Sequence, residues 1–215
     1  MIFLRYESFR GYLRSYPGTS VLVLLNIVYF IVIAAKGDPN NVLHAFRMGA
    51  FVWDPVNDPF GLEQPWRYIV SQFMHADFSH LFFNMFALIV FVPPLEYLLK
   101  TVRFIPFYLL CGIGGNLLSA IMDLMFGDGD PNIGVGASGA IYGAYGAYLF
   151  IALFRKSMLD SGSRQTIYIL LGFGILYSIM MVKVSLWGHV GGLLTGFLLY
   201  KLFESAHLWR RQRPS

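Results

Sequence analysis

The chain has 215 residues, 56% of them hydrophobic and 13% charged, with a mean hydropathy of +0.57, which excludes an ordinary soluble domain and reads as an integral membrane protein. Its net charge of +4 follows from basic residues flanking membrane segments and calls for no nucleic-acid partner. A single cysteine, Cys111, leaves no basis for a disulfide framework or a thiolate zinc site.

Apolar runs of about 20 residues predict six spans, at 20–35, 78–93, 102–126, 137–154, 166–182 and 186–203, and so an all-α, polytopic six-helix bundle. Residues 1–19 form a segment with Arg5, Arg10 and Arg14 before the first span. That span is read as an uncleaved helix rather than a signal peptide, because removing it would leave five spans and invert the charge pattern. With the N-terminus inside, twelve of the sixteen Lys and Arg residues fall on the cytoplasmic side, among them Lys100, Arg103, Arg155, Lys156 and Arg164. The outer side keeps only Lys36, Arg47, Arg67 and Lys183 and is otherwise acidic, with Asp38, Asp54, Asp58, Glu63, Asp77, Asp128 and Asp130. Both termini are therefore expected in the cytoplasm.

The outer segment 36–77 mixes prolines with Phe46, Phe51, Trp53, Phe60, Trp66 and Tyr68. That mixture predicts a structured loop at the headgroup level. The second span closes on "VFVPPLEYLLK", where Pro93 and Pro94 should stop or kink the helix and Glu96 is expected to serve as an internal hydrogen-bond acceptor. Cys111, in the third span, is read as a small residue packed between helices. The six spans make one domain, 20–203, and a basic tail, 204–215, ends the chain with Arg210, Arg211 and Arg213.

Polar side chains in a bilayer are costly and therefore informative. They are His80 and Asn84 in "HADFSHLFFNMFA", Ser138 in "GASGAIYG" and His189 in "WGHVGGLLTG". Spans two, four and six all run inward from the outer side, and His80, Ser138 and His189 fall in their first turns. Asn84 lies one turn deeper on the face of His80. Span four carries Gly139, Gly143 and Gly146, and span six carries Gly188, Gly192 and Gly196. Small residues at such spacing let helix backbones approach, which is expected to bring Ser138 and His189 together as nucleophile and general base. No carboxylate accompanies the pair, so a dyad rather than a triad is expected. Tyr142, on the face of Ser138, is placed either to lie against His189 and orient it or simply to fill space. His80, Asn84 and amides at the start of span four are placed to stabilise an oxyanion.

Two other signatures fit less well. "GDGD" at 127–130 matches an aspartyl-protease pattern but precedes Pro131 in a polar loop. His75, Asp77 and His80 lack the spacing of a metal site and read better as a turn leading into a helix. A transporter would place its polar groups near the bilayer midplane.

The ordered set of Trp66-Arg67, His80-x-x-x-Asn84, Gly136-Ala137-Ser138-Gly139 and Gly188-His189-x-x-Gly192-x-x-x-Gly196 resembles the rhomboid family of intramembrane serine proteases. The resemblance implies a Ser138/His189 dyad, an oxyanion site from His80, Asn84 and backbone near Ser138, and a wetted cavity open to the outer face. It implies no cofactor and no metal. The implied substrate is a transmembrane segment of another protein, cut near the membrane surface, and the implied form is the minimal six-span one of bacterial members. The connection at 183–186 is then expected to move with span five to admit substrate. Pro93, Pro94 and Glu96 replace the family's glycine-spaced approach to the second-span glutamate. Relatives that bind membrane segments without cleaving them typically lack the serine or the histidine; this chain has both.

Overall fold

Pro17 opens the first long helix because its missing amide costs nothing at a helix start. The structure, a computed structural model, describes residues 2–4, 6–180 and 184–204. Arg5, Lys183 and the tail residues Arg210, Arg211 and Arg213 lie outside the described residues, and Lys183 is the first residue of the connection expected to move.

A short helix α1 (Phe9–Ser15) leads into α2 (Pro17–Lys36). The buried carboxylate of Glu96 caps α2 from outside, accepting the amides of Gly18 and Thr19 at 2.7 Å each and the hydroxyls of Thr19 at 2.7 Å and Thr101 at 2.6 Å. Glu96 is thus the internal acceptor the sequence predicts.

The outer loop is structured. It holds α3 (Val42–Arg47), strand β1 (Phe51–Trp53) and α4 (Arg67–Val70), which continues into a 3-10 turn at Ser71–Phe73. Asp77 caps α5 (Phe78–Phe91) by accepting the His80 amide at 2.8 Å, so "HADFSH" is a helix entrance. A hydrogen bond from Ser79 at 2.6 Å holds the Asp77 carboxyl below the usual carboxylate range. The second span predicted at 78–93 is α5, and the helix stops at the proline pair as the sequence allows. Helix α5 stops at Phe91 and α6 (Pro93–Leu99) restarts on the proline pair, with Pro93 to Glu96 all buried, because a proline is tolerated in the first turn of a helix and not in its interior.

Helix α7 (Thr101–Phe126) follows, then strand β2 (Asn132–Gly134), antiparallel to β1 with Val52 opposite Ile133. "GDGD" sits exposed in the loop between them. Helix α8 (Ser138–Phe154) comes next, then α9 (Ser161–Met180) and α10 (Leu186–Phe203). Helix α9 begins five residues before the predicted 166. Asp160 accepts the Ser163 amide at 3.0 Å and so starts the helix earlier.

Helices α7, α8 and α10 form the centre. A Cβ on Gly192 would overlap the carbonyl of Gly139, and one on Gly196 the carbonyl of Gly143, so α8 and α10 meet backbone to backbone. Gly188 departs from this ladder, because its Cα faces Ser185 and Ser119. The third helix joins the contact in a way the two-helix ladder omits. A Cβ on Gly115 would lie 2.6 Å from the Gly188 carbonyl, and Cys111 fills the space beside Gly143.

By length and composition α2 and α7 are each able to cross a membrane, and the bent pair Arg67–Phe73 with Phe78–Phe91, broken by 94°, would make a third span. Helix α8 is a shorter apolar helix, about 25 Å long at roughly 1.5 Å per residue. Apolar side chains cover much of the outer surface, including Leu24, Val28, Phe83, Phe86, Phe173 and Leu198.

Candidate active site

The loop before α8 is fixed from two sides. Strand β1 pairs with β2, and the amide of Gly136 donates to the carbonyl of Ser71 at 3.0 Å. Strand β1 is held in turn by Trp53, whose indole donates to Asp123 at 2.8 Å, and Asn132 donates to the same carboxylate at 3.0 Å. Arg67 ties down the neighbouring chain. Its buried guanidinium donates to the carbonyls of Phe46 at 2.7 Å and Ala50 at 2.8 Å. The same group lies over the rings of Phe46 and Trp66, where the ring faces attract its positive charge. The Trp66-Arg67 pair therefore shapes the outer loop and does not touch the reactive groups.

Gly136 has φ +126°, a conformation that favours glycine. A Cβ there would stand 2.9 Å from His80 Nε2 and 3.7 Å from Ser138 Oγ. The missing side chain thus leaves a notch that both His80 and the serine border. Ser138 is the first residue of α8 and is half-buried, and no side chain caps this helix, so its first amides remain available to an anion. The Gly136 amide, committed to Ser71, is not among them.

His80 packs edge-on against the buried ring of His75, with ring centroids 4.9 Å apart. Asn84 is buried one turn below, its amide donating to the His80 carbonyl at 2.9 Å. Among the described residues no hydrogen bond joins Asn84 to Ser138.

His189 sits in the first turn of α10. Ser185 caps that turn by accepting the Gly188 amide at 3.0 Å and is bonded to Ser119 of α7 at 3.0 Å, a serine cap that frees no donor to wander. The imidazole is buried and stacked on Tyr142, with centroids 4.0 Å apart and planes within 9°. Its Nδ1 lies 2.6 Å from Ser178 Oγ on α9. Gly139, which follows Ser138, packs against the carbonyl of Gly188, which precedes His189. The backbones carrying the two residues are therefore in contact. Among the described residues Ser138 Oγ itself makes no hydrogen bond; such bonds are often long in a resting site and tighten with substrate.

The contacts of Ser178 with His189, of His75 with His80 and of Ser71 with the Gly136 amide were not legible in the sequence. A serine or histidine in or beside an apolar run carries no spacing signal, and only the packing of α5, α8, α9 and α10 reveals which neighbours it meets.

The family model of the Rhomboid domain matches residues 62–205. The chain is 31% identical over 198 residues to a Bacillus subtilis (strain 168) protein named putative rhomboid protease YdcA, covering 92% of this chain and 94% of that one. It is 29% identical over 181 residues to rhomboid protease GluP of the same organism, covering 83% of this chain and 33% of GluP. It is 34% identical over 154 residues to RHOMBOID-like protein 6, mitochondrial, of Arabidopsis thaliana, covering 71% of this chain and 47% of that one. A match that takes in every helix from α4 to α10, with one relative aligned over nearly its whole length, places this chain in the rhomboid family.

Proposed function

We propose that the chain is an intramembrane serine endopeptidase that hydrolyses peptide bonds in or near transmembrane segments of other membrane proteins. The observation that carries this reading is the backbone contact of α8 with α10 beside Ser138 and His189, with the imidazole clamped on Tyr142. Two bacterial relatives bearing the words rhomboid protease support it.

In this reading His189 takes the proton of Ser138 as Oγ attacks the scissile carbonyl. The resulting oxyanion is held by His80, Asn84 and the uncapped amides of α8. His189 then gives the proton to the leaving amine, and water, activated by the same imidazole, hydrolyses the acyl-enzyme. Tyr142 keeps the ring flat against α8. In this reading each step draws on the chain's own side chains and α8 amides together with one water.

The bundle is read as six spans in a bacterial cell membrane with both termini cytoplasmic. Helix α8, though short, counts as a span because it is apolar and mostly buried among other helices, and α10 because its outward side carries Leu194, Leu198 and Leu202. The other reading, a catalytically silent rhomboid-like binder or chaperone of membrane segments, draws on the unformed Ser138 to His189 hydrogen bond.

Cleavage of a transmembrane reporter by the purified chain in lipid vesicles separates the two. The protease reading expects cleavage that Ser138→Ala removes. No cleavage by the wild-type chain, or cleavage retained in Ser138→Ala, would overturn it.

A further inference from the structure

We infer that Ser178 is a positioning residue that sets the tautomer of His189, placing the proton on Nδ1 and leaving the lone pair on Nε2. The inference rests on the reading of His189 as general base.

A hydroxyl has one proton to give and two lone pairs to receive with. Ser178 Oγ lies 2.7 Å from the carbonyl of Gly174, one turn back on α9. A carbonyl only accepts, so the hydroxyl proton is committed there. The 2.6 Å contact between Ser178 Oγ and His189 Nδ1 then needs its proton from the imidazole. Nδ1 must carry hydrogen. The Tyr142 hydroxyl, 3.4 Å from the same Oγ, fits the same logic, because it too is left to donate. Ser178 thereby fills both lone pairs and its single donor, and all three partners agree on one proton arrangement.

This matters because a free neutral imidazole favours the opposite tautomer, with hydrogen on Nε2, which has no lone pair to accept the serine proton. Burial of both side chains, Ser178 at 3% and His189 at 5% exposure, keeps water from supplying an alternative partner to Nδ1. The titratable groups facing the ring are Tyr142 from α8 and His80 from α5. Among the described residues no carboxylate bonds to it. The hydroxyl of Ser178 therefore performs the orienting half of the task an aspartate performs in a triad, without the charge. Stacking on Tyr142 fixes the plane of the ring, and Ser178 fixes which edge carries the proton.

Ring-nitrogen NMR of the full-length chain, labelled at its five histidines and held in detergent at a pH where His189 is neutral, reads the tautomer directly. His189→Gln assigns the signal. The expected spectrum has protonated Nδ1 and unprotonated Nε2, and Ser178→Ala moves the population toward protonated Nε2. In the cleavage assay Ser178→Ala is expected to lower kcat about 10- to 100-fold, as loss of a ligand-orienting partner does elsewhere, with KM nearly unchanged. The acidic limb of its pH profile is expected to move to lower pH, because the imidazolium loses an acceptor. Ser178→Thr, which keeps the hydroxyl, is expected to restore most of the rate. A wild-type signal with protonated Nε2, or a Ser178→Ala profile that keeps both kcat and the acidic limb, would overturn the inference. The NMR result stands apart from catalysis: an inert chain with protonated Nδ1 sinks the protease reading and leaves the role of Ser178 standing.

Discussion

His80 and Asn84 share one helical face, yet the structure uses them differently. His80 Nε2 borders the notch at Gly136 beside Ser138 Oγ, whereas the Asn84 amide is bonded to its own helix at the His80 carbonyl. One of the two hydrogens of the Asn84 side-chain amide is spent on that intrahelical bond and one remains for the oxyanion, so Asn84 is one donor among several, beside the proposed base His189. His189→Ala is expected to abolish turnover, while Asn84→Ala costs about 3 kcal/mol, roughly a 10²- to 10³-fold fall in kcat. Steady-state cleavage assays check this, and equal, complete loss from a folded Asn84→Ala would contradict the assignment. The nearness of α8 and α10 beside Ser138 and His189 was legible from the glycine spacing. The stack of Tyr142 on His189 draws on an i to i+4 relation with Ser138 that any helix imposes. Ser178 was not legible, since its partner lies on another helix eleven residues away and nothing in its own run distinguishes it from a packing serine.

At the scale of elements, the cytoplasmic end shows what the proline pair does. Of the two outcomes the sequence allows, a stop rather than a kink is the one seen: Pro93 begins α6, and the restart turns Glu96 into the cap of α2. Removing that carboxylate strands two buried amides and two hydroxyls. Glu96→Ala is therefore expected to destabilise the fold by about 3 kcal/mol or more, with Glu96→Gln losing less because it keeps an acceptor oxygen. Unfolding measured in detergent checks this, and unchanged stability in Glu96→Ala would show the bonds to be of no net worth. The glycine ladder on α8 and α10 was readable from spacing alone, apart from Gly188. The share taken by α7 was not read, although Cys111, Gly115 and Ser119 recur at four-residue intervals, because only one of the three is a glycine. Helix starts set by side-chain caps, as with Asp160 before α9, also escape a reading by hydropathy.

At the scale of the whole molecule, the apolar outer faces and the polar groups gathered near one end of α5, α8 and α10 describe a bundle turned toward lipid. Hydropathy and length single out α2 and α7, with the bent pair as a third candidate. Helix α8 is apolar but shorter, and α10 carries His189 and Lys201 among its leucines and glycines. The charge pattern nevertheless gives an orientation that can be tested. In a Cys111→Ser background, a cysteine at Asp128 is expected to react with a membrane-impermeant maleimide from outside the cell. A cysteine at Lys156 is expected to react only after permeabilisation. The reverse pattern would invert the topology and move the proposed site to the cytoplasmic leaflet.

The central claim is that the imidazole of α10 activates the hydroxyl at the start of α8. Treating the purified full-length chain with a fluorophosphonate and locating the adduct by peptide mass spectrometry tests it most directly. The account predicts phosphonylation at Ser138 that falls to background in His189→Ala. An adduct on another residue, or undiminished labelling of Ser138 without His189, would contradict it.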